Sequence, residues 1–225
     1  MKRWFLKNPA LLNQVKNSVA KNYPDLRIDE TSERIILRGS FPVSANGTVV
    51  DRFQIEVEFP DNYPDGIPTV REVGGRIPHH SDRHVIVKTK SACLFLREES
   101  SKYYPPGTTI LDFLSGPVND YFLWQTEFEL TGQPTVKARQ HGIDGIIEFY
   151  KEELEIEDPK AILNCIDYLR KEAKGHWPCF CGGGKKLREC HMEKFVALRI
   201  KVSLKVAEQF FEDFEKVTAP KKKSL

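Results

Sequence analysis

From Phe53 to Phe59 apolar and polar side chains alternate without a break, with Phe53, Ile55, Val57 and Phe59 on one side and Gln54, Glu56 and Glu58 on the other. A period of two sends successive side chains to opposite faces of a strand, so this stretch predicts a sheet with one apolar face and one wet face. Such a sheet needs a cover on its apolar side. The segment that follows holds Pro60, Pro64, Gly66 and Pro68 and predicts an ordered, turn-rich loop. Branched and aromatic residues from Arg34 to Phe41 predict a preceding strand, and Asn46-Gly47 a turn. A short strand is expected near Thr69 to Val73.

Helical spacing supplies the cover. Leu11, Leu12, Val15 and Val19 predict an amphipathic helix over residues 9 to 22, with Lys16 and Lys21 facing solvent. Ile110, Leu111, Phe113, Leu114, Val118, Phe122 and Leu123 predict another, capped by Thr109 and interrupted at Ser115-Gly116-Pro117. Beyond Gly132-Gln133-Pro134 helices are expected from Ile143 to Leu154 and from Ala161 to Leu169. A last amphipathic segment runs through Phe195, Leu198, Val202, Val206, Phe210, Phe214 and Val217. No internal repeat is present, and the fold class is α+β.

With 225 residues, the chain has room for one main core and a small second one. The 34 basic and 32 acidic side chains leave a net charge of +2, which offers no general field for a nucleic-acid backbone. The one like-charged block, Lys221-Lys222-Lys223, reads as a solvated tail. Lys7, Asn8 and Pro9 interrupt the opening apolar residues too early for a secretion signal, and no run approaches the roughly 20 apolar residues of a membrane helix. Five cysteines, three of them between positions 179 and 190, do not form a secreted disulfide framework. A reducing cytoplasm is the expected location.

Cys179-Phe180-Cys181 is followed, eight residues later, by Cys190-His191. Three thiols and an imidazole in one short, glycine-bearing loop suit a tetrahedral metal site, expected to be structural zinc with no open position. Lys185, Lys186 and Arg188 would offset thiolate charge. The competing readings are unconnected thiols or a redox pair at Cys179 and Cys181. His176 is placed in solvent rather than in the ligand set, and Cys165 in a core with Ile162, Ile166 and Leu169. The spacing and the Gly-Gly-Gly-Lys-Lys centre resemble the SEC-C motif, a small zinc-binding segment, which implies a docking surface.

Ala92-Cys93-Leu94-Phe95-Leu96 on its own suits an inert thiol at the start of a buried strand. His79, His80 and His84 precede it and could polarise the thiol or brace a loop, while Lys88 and Lys90 read as solvated loop charges. The order of features alters this. An alternating strand, Pro60-Asp61-Asn62-Tyr63-Pro64, a further strand, a histidine-bearing loop, Cys93-Leu94, then Tyr103-Tyr104-Pro105 and a helix resemble the ubiquitin-conjugating enzymes over residues 1 to 132.

That resemblance implies a ubiquitin-conjugating-like domain over 1–132 with an N-terminal helix, an antiparallel meander sheet and C-terminal helices; a helical extension over 133–175, a zinc motif over 176–191, and an amphipathic helix with a basic tail over 192–225 are expected to follow it. It implies that Cys93 carries an acyl group as a thioester, with His84 in the position of the family's upstream histidine. His84-Val85-Ile86 replaces the family's His-Pro-Asn, so the amide that would donate to an oxyanion is absent. No glycine-rich nucleotide loop follows a strand, so a separate activating enzyme or a preactivated donor is needed. The likeness runs furthest toward prokaryotic ubiquitin-conjugating-like proteins of antiphage operons of the CBASS type. There the implied donor is the C-terminus of a cyclic-oligonucleotide synthase (CD-NTase). The alternative is a catalytically silent member of the fold that docks a protein.

Overall fold

The computed structural model describes residues 3–133 and 142–218, which divide into two compact units. Residues 3–95 and 103–133 form the first, and residues 96–102 and 142–218 the second. The Lys221-Lys222-Lys223 tail and Pro134 of the expected turn lie outside the described residues.

The first unit is the predicted meander. Strands β1 (Leu26–Glu30), β2 (Ile35–Ala45), β3 (Thr48–Glu58) and β4 (Thr69–Glu72) pair antiparallel in sequence order. Asn46, at φ 51, and Gly47, at φ 77, make the β2–β3 turn. Phe53, Ile55, Val57 and Phe59 are all buried. The other face carries an ion-pair ladder across all four strands: Arg38 meets Asp29 at 2.9 Å and Glu56 at 3.3 Å, and Arg71 meets Glu56 at 3.6 Å and Glu58 at 2.9 Å. Alternation in the sequence thus becomes a dry face and a charged face.

Helices cover the dry face. A short α1 (Trp4–Lys7) precedes α2 (Pro9–Asn22), whose first turn is closed by Asn8 accepting from the Leu11 amide at 3.0 Å. Leu12, Val15 and Val19 are its buried side. After β5 (Val85–Ile86), β6 (Ser91–Ala92) and α3 (Ser100–Tyr103), α4 (Ile110–Phe113) opens on a reciprocal Thr109–Asp112 capping box. The expected interruption lies at Leu114–Val118, where Gly116 leaves helical geometry ahead of Pro117. Helix α5 (Asn119–Thr131) then lays Phe122 against Phe41 and Phe53, with ring centroids at 5.8 and 4.8 Å. Asn119 pins the helix start to β2 by accepting from the Ser44 amide and donating to its carbonyl.

The second unit is helical: α6 (Gly142–Leu154), α7 (Pro159–Arg170), α8 (Met192–Lys201) and α9 (Leu204–Thr218) enclose Tyr150, Leu154, Ile162, Ile166, Phe180, Leu187 and Phe195. Cys165 is in this core, as expected, and burial pushes its thiol far up from its ordinary range. One expectation is corrected here. The final amphipathic segment is two helices, because Val202 is extended and the Ser203 hydroxyl accepts from the Val206 amide, starting a new helix. Val202 stays buried, so the apolar pattern survives the break. Among the described residues no helix is long and apolar enough to cross a membrane.

Candidate functional site

Cys93 follows directly on a two-strand hairpin in which Val85 pairs with Ala92 and Ile86 with Ser91. Its amide donates to the His84 carbonyl at 2.7 Å, which extends the ladder by one bond. His84 itself sits in the left-handed region, at φ 48 and ψ 43, with its ring edge-on to Trp124 at 5.1 Å. Cys93 is half-buried and reduced. The hairpin lies beside β4, where the Arg71 Nε donates to the Thr89 carbonyl at 3.3 Å.

The residue before His84 is clamped by α5. Gln125, fully buried, accepts from the Arg83 Nε at 2.8 Å and donates to the Arg83 carbonyl at 2.7 Å. Tyr121 donates to the same carbonyl at 3.2 Å, and burial keeps its hydroxyl protonated well above the ordinary range. The Arg83 guanidinium lies 4.5 Å from the Phe128 ring centroid. Three side chains of one helix therefore hold the corner from which His84 reaches Cys93. Sequence reading did not single out Arg83, Tyr121 or Gln125. Gln125 left a signal: a polar residue at helical spacing from Tyr121 and Phe122, on the face that must be dry.

The two aromatic-proline segments meet on the same unit. Tyr104 donates to the Pro64 carbonyl at 3.0 Å, and Phe95 stacks on Tyr103 with centroids 5.3 Å apart. Tyr63 is buried against Trp4 and Phe59, and burial pushes its hydroxyl up to about 12. Of the other histidines, His80 caps the turn at Ser81–Arg83 by accepting from the Asp82 amide at 3.3 Å, and His79 is exposed. Lys88 and Lys90 are exposed, as expected.

In the second unit, Cys179, Cys181, Cys190 and His191 bring one ligand atom each to within 4.8 Å of one another. The His191 Nδ1 lies 3.3 Å from the Cys179 sulfur and 3.1 Å from that of Cys190, and the Cys181 and Cys190 sulfurs are 3.7 Å apart. A tetrahedron with metal–sulfur bonds of about 2.3 Å has an edge of about 3.8 Å, so these spacings suit four ligands around one ion. The group could hold a metal ion. His176 is exposed and is not part of it.

Local backbone bonds build this cluster. The Cys179 amide donates to the Lys185 carbonyl at 2.8 Å, Pro178 bridges Lys186, and the Cys190 amide donates to the Leu187 carbonyl at 3.1 Å. Gly182 and Gly184, at φ 74 and 77, take the left-handed conformations that fold the loop back on itself. Leu187 anchors it in the core, and Tyr168 donates to the Pro178 carbonyl at 2.9 Å. Burial pushes the Cys179 thiol up to about 12. For Cys181 burial also acts upward but is outweighed by the Gly183 amide and by the neighbouring thiols, leaving it below its ordinary value.

Comparison with protein-family models, with curated proteins and with solved structures found no match for this chain.

Proposed function

We propose that the chain is a ubiquitin-conjugating-like cysteine acyltransferase with a structural zinc module. The observation that carries this reading is the placement of Cys93. It is a half-buried thiol at the mouth of a hairpin, held through its backbone by His84, on the unit where Tyr63-Pro64 and Tyr104 meet. The Cys93 thiolate attacks the activated C-terminal carbonyl of a donor protein, forming an S–C bond and expelling the donor's leaving group. An acceptor amine then attacks the thioester, loses a proton to solvent and releases the Cys93 thiolate. A separate activating enzyme supplies the energy of the acyl bond.

The second half of that cycle has weak support from this chain. Val85 and Ile86 stand where the family has proline and asparagine, and the Cys93 amide is already engaged by the His84 carbonyl. Neither is left to donate to an oxyanion. Aminolysis is therefore expected to be slow. The same facts favour a second reading, a silent member of the fold that binds a ubiquitin-like tail without accepting it. The donor we propose, a cyclic-oligonucleotide synthase in a cytoplasmic CBASS-type system, rests on the family resemblance.

For the cluster, three thiolates and an imidazole are the donor set that tetrahedral zinc prefers, and Cys179, Cys181, Cys190 and His191 would hold it. Zinc there would lock the loop, and no catalytic step is assigned to it. Incubated with an activating partner and donor, the wild-type protein should gain the donor's mass, and Cys93→Ala should gain none. An equal gain in Cys93→Ala would place the acceptor at another residue and refute the role of Cys93, and no gain in either protein while the donor binds would leave only the docking reading.

A further inference from the structure

The hairpin that leads to Cys93 carries more than the thiol. Its loop is built to hold one shape: the Thr89 and Lys90 amides donate to the Ile86 carbonyl at 3.1 and 2.8 Å, the Thr89 and Ser91 hydroxyls are 2.6 Å apart, and Lys90 takes a left-handed turn at φ 55. On this frame Ile86 and Val87, two branched apolar side chains, are 48 % and 59 % exposed. Lys88 and Lys90 are exposed beside them with no ion pair among the described residues. No carboxylate occurs anywhere from Arg83 to Leu96. The acids that Arg71 reaches, Glu56 and Glu58, are already engaged in the ladder, and Arg71 turns its Nε to the hairpin rather than leaving a carboxylate there.

We propose that this hairpin is the docking surface for the donor protein's C-terminal tail, and that the tail is an extended segment with carboxylates set between apolar residues. Apolar contact with Ile86 and Val87 and charge pairing with Lys88 and Lys90 guide the tail toward Cys93. A basic tail is repelled. The inference rests on the reading that Cys93 accepts an acyl group, but its test uses binding alone and is independent of transfer.

The probes are fluorescein-labelled peptides of about ten residues in which leucine alternates with glutamate, leucine with lysine, or serine with glutamate. Binding to the full-length Cys93→Ser protein is read by fluorescence anisotropy. The leucine–glutamate peptide should bind about tenfold more tightly than the leucine–lysine one, as two exposed charge pairs allow. It should also bind more tightly than the serine–glutamate peptide. Salt at about 0.5 M should close the gap between the first two. Adding Lys88→Glu and Lys90→Glu should reverse the preference, and Ile86→Ser with Val87→Ser should remove the advantage of leucine. Equal binding of acidic and basic peptides, a preference untouched by both double variants, or equally tight binding of a single-stranded oligonucleotide of the same charge would overturn the proposal. A thioester adduct at Cys93 that forms while the peptides show no preference would sink the docking surface and spare the acyltransferase reading.

Discussion

At the scale of single residues, the arrangement at Cys93 depends on a helix side chain that grips the residue before His84. Gln125 answers both the guanidinium and the carbonyl of Arg83, the residue directly before the left-handed His84. Replacing Gln125 with leucine takes away the acceptor of the Arg83 Nε and one of the two donors to the Arg83 carbonyl, at a cost of about 1–3 kcal/mol. Gln125→Leu should lower the unfolding free energy of the protein by that amount and change the pH profile of Cys93 alkylation. Gln125→Glu, which still accepts from the Arg83 Nε but cannot donate to the Arg83 carbonyl, should recover only part of the stability. An unchanged alkylation profile in Gln125→Leu would confine the residue to packing. This clamp was barely legible in the sequence, because a glutamine on an apolar helical face does not disclose the residue it grips 42 positions earlier. Cys93 itself was legible only through the order of motifs around it.

At the scale of elements, two features of the second unit make opposite demands on pH. Glu98, on the segment 96–102, is almost fully buried, and neither its Oε2 nor the Tyr150 hydroxyl has a hydrogen-bond partner among the described residues. Burial raises its carboxyl, with Arg97 acting against this and Glu99 and Asp213 with it. A raised carboxyl is neutral in both folded and unfolded chains at low pH, so it costs nothing there. The penalty grows as pH climbs from the ordinary carboxyl range toward the folded value. Glu98→Gln should therefore stabilise the unit, and its advantage in melting temperature over wild type should widen as pH rises. A constant difference across pH would refute this. A metal held by Cys179, Cys181, Cys190 and His191 would act the other way, since thiolates and imidazole must lose protons to bind. Removing metal with a chelator, or Cys190→Ser, should unlock the glycine-bearing loop and expose its amides to rapid hydrogen exchange. Loop amides that stay protected after metal removal would show that the backbone bonds alone suffice. The amphipathic helices and the clustering of Cys179, Cys181, Cys190 and His191 could be read directly from spacing. The break at Val202 could not, since its apolar pattern runs on and only Ser203 marks a new start. The hairpin of β5 and β6, two residues a strand, is too short to show a period.

At the scale of the whole molecule, the chain pairs a sheet-and-helix unit bearing one half-buried thiol with a helical unit bearing a metal-ligand cluster. The α+β class followed from the alternation at Phe53–Phe59 set beside helical spacing elsewhere. Less legible was that residues 96–102, three residues beyond Cys93, belong with the helical unit, because seven residues with one buried glutamate carry no pattern that names their partner. The central claim concerns what Cys93 does with an activated acyl group, and intact mass of the protein after incubation with activating enzyme and donor tests it most directly. The account predicts an adduct released by excess thiol in the wild type, one that resists thiol as an oxygen ester in Cys93→Ser, and none in Cys93→Ala. An adduct of the same mass and lability in all three proteins, or a wild-type adduct indifferent to thiol, would contradict it.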